Sequence, residues 1–214
     1  MEKIESNSFT AVLEDHVVVI NIKASAYELV TDINESNLFI EFIKETESLP
    51  EVKALFIHNE KEFYGESEYD NFITSIMGPQ AECDGESGTP RFIKKDTRFR
   101  EINILNKIIK VLSEYHKLCF SGINGDIVTP FIGACLSMDI RYATEGTRFI
   151  MAHNKYGLHP SGALPFFLSQ YVHHSRALEI QFRKEFSVEE AYQLGLVNKI
   201  YPEKNFKESC LEEI

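Results

Sequence analysis

The feature that most restricts this chain is an alternation between short runs of β-branched and aromatic residues and longer stretches with helical periodicity. Strands that alternate with helices build a sheet covered by helices, so the pattern predicts an α/β fold. Residues 11–13 and 17–22 read as two strands joined by a turn at Glu14-Asp15-His16. Leu38, Phe39, Phe42 and Ile43 recur at helical spacing, with Asp32 or Asn34 as N-cap and Pro50 just past the end. Residues 54–58 form an apolar run expected to be a buried strand. Phe99, Ile102, Leu105, Ile108, Ile109 and Leu112 give a long helix one apolar face. Residues 118–123 read as a strand closed by Asn124-Gly125, 130–138 as a buried helix and 140–143 as a strand. Ser187-Val-Glu-Glu190 has the form of a capping box, Gly195 stops the helix it opens, and 197–200 is the last expected strand.

Residues 77–97 interrupt this order with Gly78, Pro79, Gly85, Gly88 and Pro90 in a polar stretch without a period. A loop of that length is a flexible surface segment or a lid. The rest of residues 1–214 is expected to form a single domain, since 214 residues bury a sizeable core without staples.

Composition removes several function classes. With 43% apolar and 26% charged residues the chain is not disordered as a whole. Its 22 basic against 33 acidic residues leave a net charge of −11, which disfavours nucleic acid as a partner, because phosphate binding wants a basic face. No apolar run approaches the roughly 18 residues of a membrane span, and Met1-Glu2-Lys3-Ile4-Glu5 lacks the order of a signal peptide. Cys83, Cys119, Cys135 and Cys210 form no CxxC pair and are expected to be reduced, buried thiols of a cytoplasmic protein. His153 and His159 are six positions apart and His173-His174 adjacent, so no metal site is read. Neither a phosphate-binding GxxxxGK[ST] nor a GxGxxG or GxSxG motif is present.

Three blocks in the second half carry more. The first is Ile123-Asn124-Gly125 with Asp139 fourteen positions after that glycine. The second runs through Ala143-Thr-Glu145, Arg148-Phe149 and Gly157-Leu158-His-Pro160. The third comprises Arg176-Ala177-Leu-Glu179, Ser187-x-Glu189-Glu190-Ala191 and Gly195-Leu196-Val197-Asn198, ending at Pro202. In order and spacing, over about 80 residues, they resemble the crotonase (enoyl-CoA hydratase/isomerase) superfamily. The segment 155–163 is also similar to the polyketide β-branching decarboxylases, crotonase relatives that act on carrier-protein thioesters. The resemblance implies a spiral of β-β-α turns, usually trimeric, that takes an acyl-CoA or acyl-carrier-protein thioester as substrate and needs no cofactor. It also implies a longer helical region after the 195–197 strand than the one this chain shows. An open pocket or a partner's cover, in a homo-oligomer (trimer or dimer) or a hetero-complex, would follow.

Crotonases stabilise an enolate with two backbone N–H groups, and their hydratases add two glutamates as acid and base. Carried over onto this sequence, the first N–H donor falls on Gly65 within Phe63-Tyr64-Gly65-Glu66-Ser67-Glu68, where Glu66 replaces a usual glycine. The second falls on Pro130 in Thr129-Pro130-Phe131; proline has no N–H, so the hole loses a donor unless Phe131 shifts in. Losing one such donor typically costs about 3–4 kcal/mol in barrier. The two glutamate positions become Gly133 and His153. Hydration is therefore disfavoured, and His153 is the candidate acid–base group, with a structural histidine as the alternative. Tyr156 and Ser161 are candidates for the acyl-facing wall, and Asp139 for a structural corner. Two readings follow: decarboxylation or isomerisation of an acyl thioester through enolate stabilisation, or a non-catalytic crotonase serving as an accessory or partner subunit.

Overall fold

A computed structural model describes residues 3–23, 26–77 and 92–214. Its elements begin with strands β1 (Ile4–Glu5), β2 (Phe9–Glu14) and β3 (Val17–Ile22), then helices α1 (Ala26–Leu29) and α2 (Ile33–Ser48). Strand β4 (Ala54–Asn59) leads into α3 (Glu66–Met77) and α4 (Lys95–Ser113). There follow β5 (Leu118–Ile123), β6 (Ile127–Val128), α5 (Phe131–Leu136), β7 (Ile140–Thr144) and β8 (Arg148–Ile150). After a 3₁₀ turn (Ala152–Tyr156) come α6 (Leu164–Tyr171), α7 (His174–Gln181), β9 (Glu185–Ser187), α8 (Val188–Gln193), β10 (Lys199–Tyr201) and α9 (Phe206–Leu211).

Seven strands form one sheet in the order β1-β2-β3-β4-β5-β7-β10, and β6-β8-β9 form a second. The larger sheet is antiparallel at β1-β2-β3 and parallel from β3 onward. Twice the chain steps from the large sheet to the small one and then turns helical: β5 to β6 to α5, and β7 to β8 to the 3₁₀ turn. This is the expected spiral. The central strands are buried on both faces, which is why 54–58 and 118–123 read as apolar runs rather than alternating ones. The larger core lies under α1–α5, and a smaller one with Val19, Phe56, Phe120 and Tyr142 lies on the opposite face under α9.

Asp32 caps α2, its carboxylate accepting from the backbone N–H groups of Asn34 and Glu35 at 2.7 and 3.0 Å. Asp32→Ala is expected to lower stability by about 1 kcal/mol in urea denaturation, the usual cost of losing a cap. Ser187 caps α8, but only half of the capping box forms. Its hydroxyl accepts from Glu190 N–H at 3.3 Å, while the Glu190 carboxylate turns to Arg176 and Arg183 at 3.0 and 2.6 Å.

Several expected boundaries move. The strand expected at 197–200 is β10 at Lys199–Tyr201, because Leu196 and Val197 donate to the Ala191 carbonyl and Asn198 bonds Arg141, so sheet pairing starts later. The helix expected at 130–138 shrinks to Phe131–Leu136, with Pro130 as its N-cap residue and Ser137 as its C-cap. Within the loop expected at 77–97, Met77 ends α3 and α4 starts at Lys95; residues 78–91, Cys83 among them, lie outside the described residues. On α4 the buried face runs through Glu101, Leu105, Ile108, Ile109 and Leu112, leaving Phe99 64% exposed. Cys119, Cys135 and Cys210 are free and buried. Among the described residues no helix is long and apolar enough to cross a membrane.

Candidate functional site

Gly65 sits at the end of a tight turn in which Glu62 takes the left-handed conformation (φ 74°). The turn closes on itself: Gly65 N–H donates to the Glu62 carbonyl at 2.9 Å, and the Gly65 carbonyl accepts from Tyr69 in the first turn of α3. A neighbouring main-chain bond joins this turn to the second candidate arm, Val128 N–H donating to the Tyr64 carbonyl at 2.8 Å. The Tyr64 ring then stacks on Phe131, the first residue of α5, with centroids 4.5 Å apart. Behind this pair is an apolar cavity of about 40 Å³, lined among others by Ile22, Leu29, Tyr64, Leu105, Phe131 and Cys135.

The start of α5 is packed backbone to backbone against the segment around Gly162. A Cβ built on Gly133 would fall 1.8 Å from the Gly162 carbonyl oxygen, and one on Gly162 (φ 69°) would fall 2.1 Å from the Pro130 carbonyl oxygen. Pro130 contributes no N–H here, and no side chain fits at 133 without moving main chain.

His153 is buried in the 3₁₀ turn with Nδ1 3.0 Å from Thr129 Oγ1. Burial holds its imidazole down at about 4, against an upward pull from the Gln181 backbone, so the ring is neutral at physiological pH. It lines a separate cleft of about 530 Å³ with Leu158, Pro160, Pro165, Leu178 and Phe182. Tyr64, the neighbour of Gly65, and His153 therefore line different voids.

Tyr156 turns toward α3, its hydroxyl donating to Asp70 at 2.6 Å; burial and that carboxylate push the phenol up to about 12. Lys155 bonds the same Asp70 and lies 3.7 Å from Glu66. Ser161 accepts through its carbonyl from Leu164 N–H, and it lines neither void. Asp139 has the corner role, its carboxylate accepting from Cys119 N–H at 2.8 Å. The structure thus brings Gly65, Pro130 and Phe131 to one corner and Gly133 against the Gly162 backbone, while His153 and Tyr156 point elsewhere.

Two polar groups escaped the sequence reading. Glu101 has no exposure; one carboxyl oxygen meets Arg98 at 2.5 Å and the other has no hydrogen-bond partner among the described residues. Burial raises its pKa to about 7. The Tyr27 hydroxyl is likewise buried without a partner, its ring stacked on Phe72 and edge-on to Phe131. The signal for Glu101 was the spacing 101-105-108-112, which continues the apolar stripe of α4 one turn back. Among the described residues no group of three or more His, Cys, Asp or Glu side chains could hold a metal ion.

The enoyl-CoA hydratase/isomerase family model matches residues 91–214. The probable enoyl-CoA hydratase EchA12 of Mycobacterium bovis is 27% identical over 163 residues, covering 70% of this chain and 57% of that protein. A 4-chlorobenzoyl coenzyme A dehalogenase of Arthrobacter is 28% identical over 101 residues, 47% of this chain and 37% of its own. The chain thus spans little more than half, or less, of these curated relatives' length. Among solved structures, a HypX variant from Aquifex aeolicus superposes with a TM-score of 0.76 at 20% identity, covering 100% of this chain and 36% of that one. A probable enoyl-CoA hydratase/isomerase from Mycobacterium abscessus superposes at 0.71 and 18%, covering 97% and 74%. At those identities the superpositions speak for a shared crotonase fold. A family model that covers more than half of the sequence, on a backbone with that fold, makes the chain a member of the enoyl-CoA hydratase/isomerase family.

Proposed function

We propose that this chain is a crotonase scaffold that has lost the family's enolate chemistry and serves as a non-catalytic partner subunit. One observation carries the reading: the N–H of Gly65 is bonded to the Glu62 carbonyl and Pro130 has none, so at most the Phe131 N–H at the start of α5 remains where the family uses a pair of donors. Three further features support it. The apolar cavity, at about 40 Å³, is smaller than an acyl chain needs. No glutamate fits at position 133. Leu178 and Phe182, 44% and 81% exposed, give the cleft beside His153 an apolar rim of the kind that marks a protein contact, in a homo-oligomer or a hetero-complex.

A second reading is an acyl-thioester decarboxylase or isomerase. It is favoured by the cavity's place directly behind Tyr64 and Phe131, and by relatives named for enoyl-CoA and 4-chlorobenzoyl-CoA chemistry. Calorimetric titration with acetyl-CoA, crotonyl-CoA and a loaded acyl carrier protein separates the two, with the acyl group followed by mass spectrometry. The expected result is neither binding heat nor turnover. Saturable binding with turnover that His153→Ala abolishes would overturn the partner reading and establish the second.

A further inference from the structure

The polar side chains in the wall of the 530 Å³ cleft are spent on the protein itself. His153 Nδ1 lies 3.0 Å from Thr129 Oγ1, and the Asn154 amide donates to the Gln181 and Arg183 carbonyls at 2.8 and 2.9 Å. The Gln181 amide donates to the Ala177 carbonyl at 2.8 Å. His159, itself exposed, is the exception. The rest of the wall is Leu158, Pro160, Pro165, Leu178 and Phe182, with Gly157. Such a surface offers contact area and little to hydrogen-bond, which suits an apolar group. A cavity of about 150 Å³ already holds benzene, so the cleft has room for a phenyl ring.

Phe182 is itself such a group. On α7, Ala177, Ile180 and Gln181 are buried, while His174, Leu178 and Phe182, spaced by four, lie exposed on the other side. One patch therefore carries both a protruding ring and, beside it, a hollow that admits one. That is the condition for an isologous contact, in which residue i of one copy meets residue j of the other and j meets i.

Charge points to a second copy as the occupant. A chain with a net charge of −11 repels its own kind wherever acidic surfaces meet. Yet residues 156–175 contain no Asp, Glu, Lys or Arg, and neither does the lining of the cleft. The charges that adjoin it on α7 close on themselves: Arg176 bonds Glu179 and Glu190 at 2.7 and 3.0 Å, and Arg183 bonds the same two at 2.7 and 2.6 Å, for a sum of zero. Two copies can meet here without juxtaposing like charges, whereas a strongly acidic or basic partner gains nothing. We propose that this face joins two copies of the chain about a two-fold axis, Phe182 of each entering the other's cleft beside Leu178. The dimer rests on the partner-subunit reading and names the partner, and it differs from the trimer that the family resemblance implies.

The test is sedimentation velocity of the full chain across micromolar concentrations, where a monomer–dimer equilibrium is expected. Phe182→Lys and Leu178→Glu should each weaken the dimer at least tenfold. Both positions are exposed, so circular dichroism and Tm should stay as in wild type, and either variant remains decisive if the other misfolds. An equimolar mixture of the two should recover a dimer. In it the new lysine meets the new glutamate at one contact, while the other contact keeps Phe182 on Leu178. A monomer throughout, a trimer, a dimer that both substitutions leave intact, or a mixture that does not recover would overturn the proposal. Association is read without a thioester, so failure of this interface and failure of the non-catalytic reading are separate results.

Discussion

Gly133→Ala is expected to cost about 3–5 kcal/mol of stability, or to prevent folding, although alanine is the better helix former. The added carbon would sit 1.8 Å from the Gly162 carbonyl oxygen, 2.8 Å from the carbon it belongs to and 2.9 Å from Leu164 nitrogen. All three are main-chain atoms, so no side-chain rotation relieves the contact; α5 and the 162–164 segment must separate. Gly162→Ala meets the same interface from the other side and adds the strain of a left-handed φ. The two costs should not sum, since the first substitution already parts the surfaces. Gly146→Ala is the control: it shares the left-handed conformation (φ 76°) but has nothing within 4 Å, so it should lose only about 1–2 kcal/mol. Urea midpoints for the four proteins decide the matter, and a Gly133→Ala loss no larger than the control's would show that the interface yields easily. For function, the same geometry bars the hydratase carboxylate from this position. Gly133→Glu combined with His153→Glu is expected to unfold the protein rather than to confer hydration.

The second large effect concerns Glu101. Its carboxyl, fully buried with one oxygen unpaired, titrates near 7 in the folded state against 4.5 for the ordinary group. Below about pH 4.5 both the folded and unfolded chains hold this proton. Between 4.5 and 7 the unfolded chain has lost it and the folded one has not, so stability falls as pH rises through that window and is level above it. At about 1.4 kcal/mol per pH unit the loss is about 3 kcal/mol. His58 and His153, held down at about 4, act in the opposite direction: their contribution is lost as pH falls from 6.5 toward 4. Wild type alone therefore shows a partly cancelled curve. Subtracting the Glu101→Gln curve, measured by urea denaturation from pH 5 to pH 8, isolates the carboxyl. The variant should gain on wild type across that range, and a flat difference would mean that Glu101 is ionised throughout.

Much of the fold was legible because buried parallel strands and amphipathic helices leave short-range periods, as at 17–22, 54–59 and 118–123. What local spacing left hidden was long-range or electrostatic. Position 133 was identified as a vacant glutamate site by counting from Gly125, but its occlusion depends on a carbonyl 29 positions later in the chain. Gly65 was assigned to the donor run by order alone, and the direction of its N–H depends on the left-handed Glu62, a conformation that a glutamate gives no hint of. On α4 the apolar pattern admitted Phe99, and the 101-105-108-112 spacing that points to Glu101 was masked because a carboxylate breaks the apolar stripe. The buried polar atoms of Asn21, His58 and Asn124 that lack a partner among the described residues come from β3, β4 and the turn after β5, which the sheet brings together from over a hundred residues apart at the extremes.

The bond from Val128 N–H to the Tyr64 carbonyl, with the ring stack beside it, makes the two candidate oxyanion arms one mechanical unit. Neither can be adjusted alone: rotating the Gly65 turn pulls on β6, which leads into Pro130, and α5 in turn is locked against Gly162. Freeing an N–H at both positions would thus take a block of coupled changes and not a path of single ones. An engineer wishing to return it would have to graft residues 61–66, 127–133 and 157–163 together.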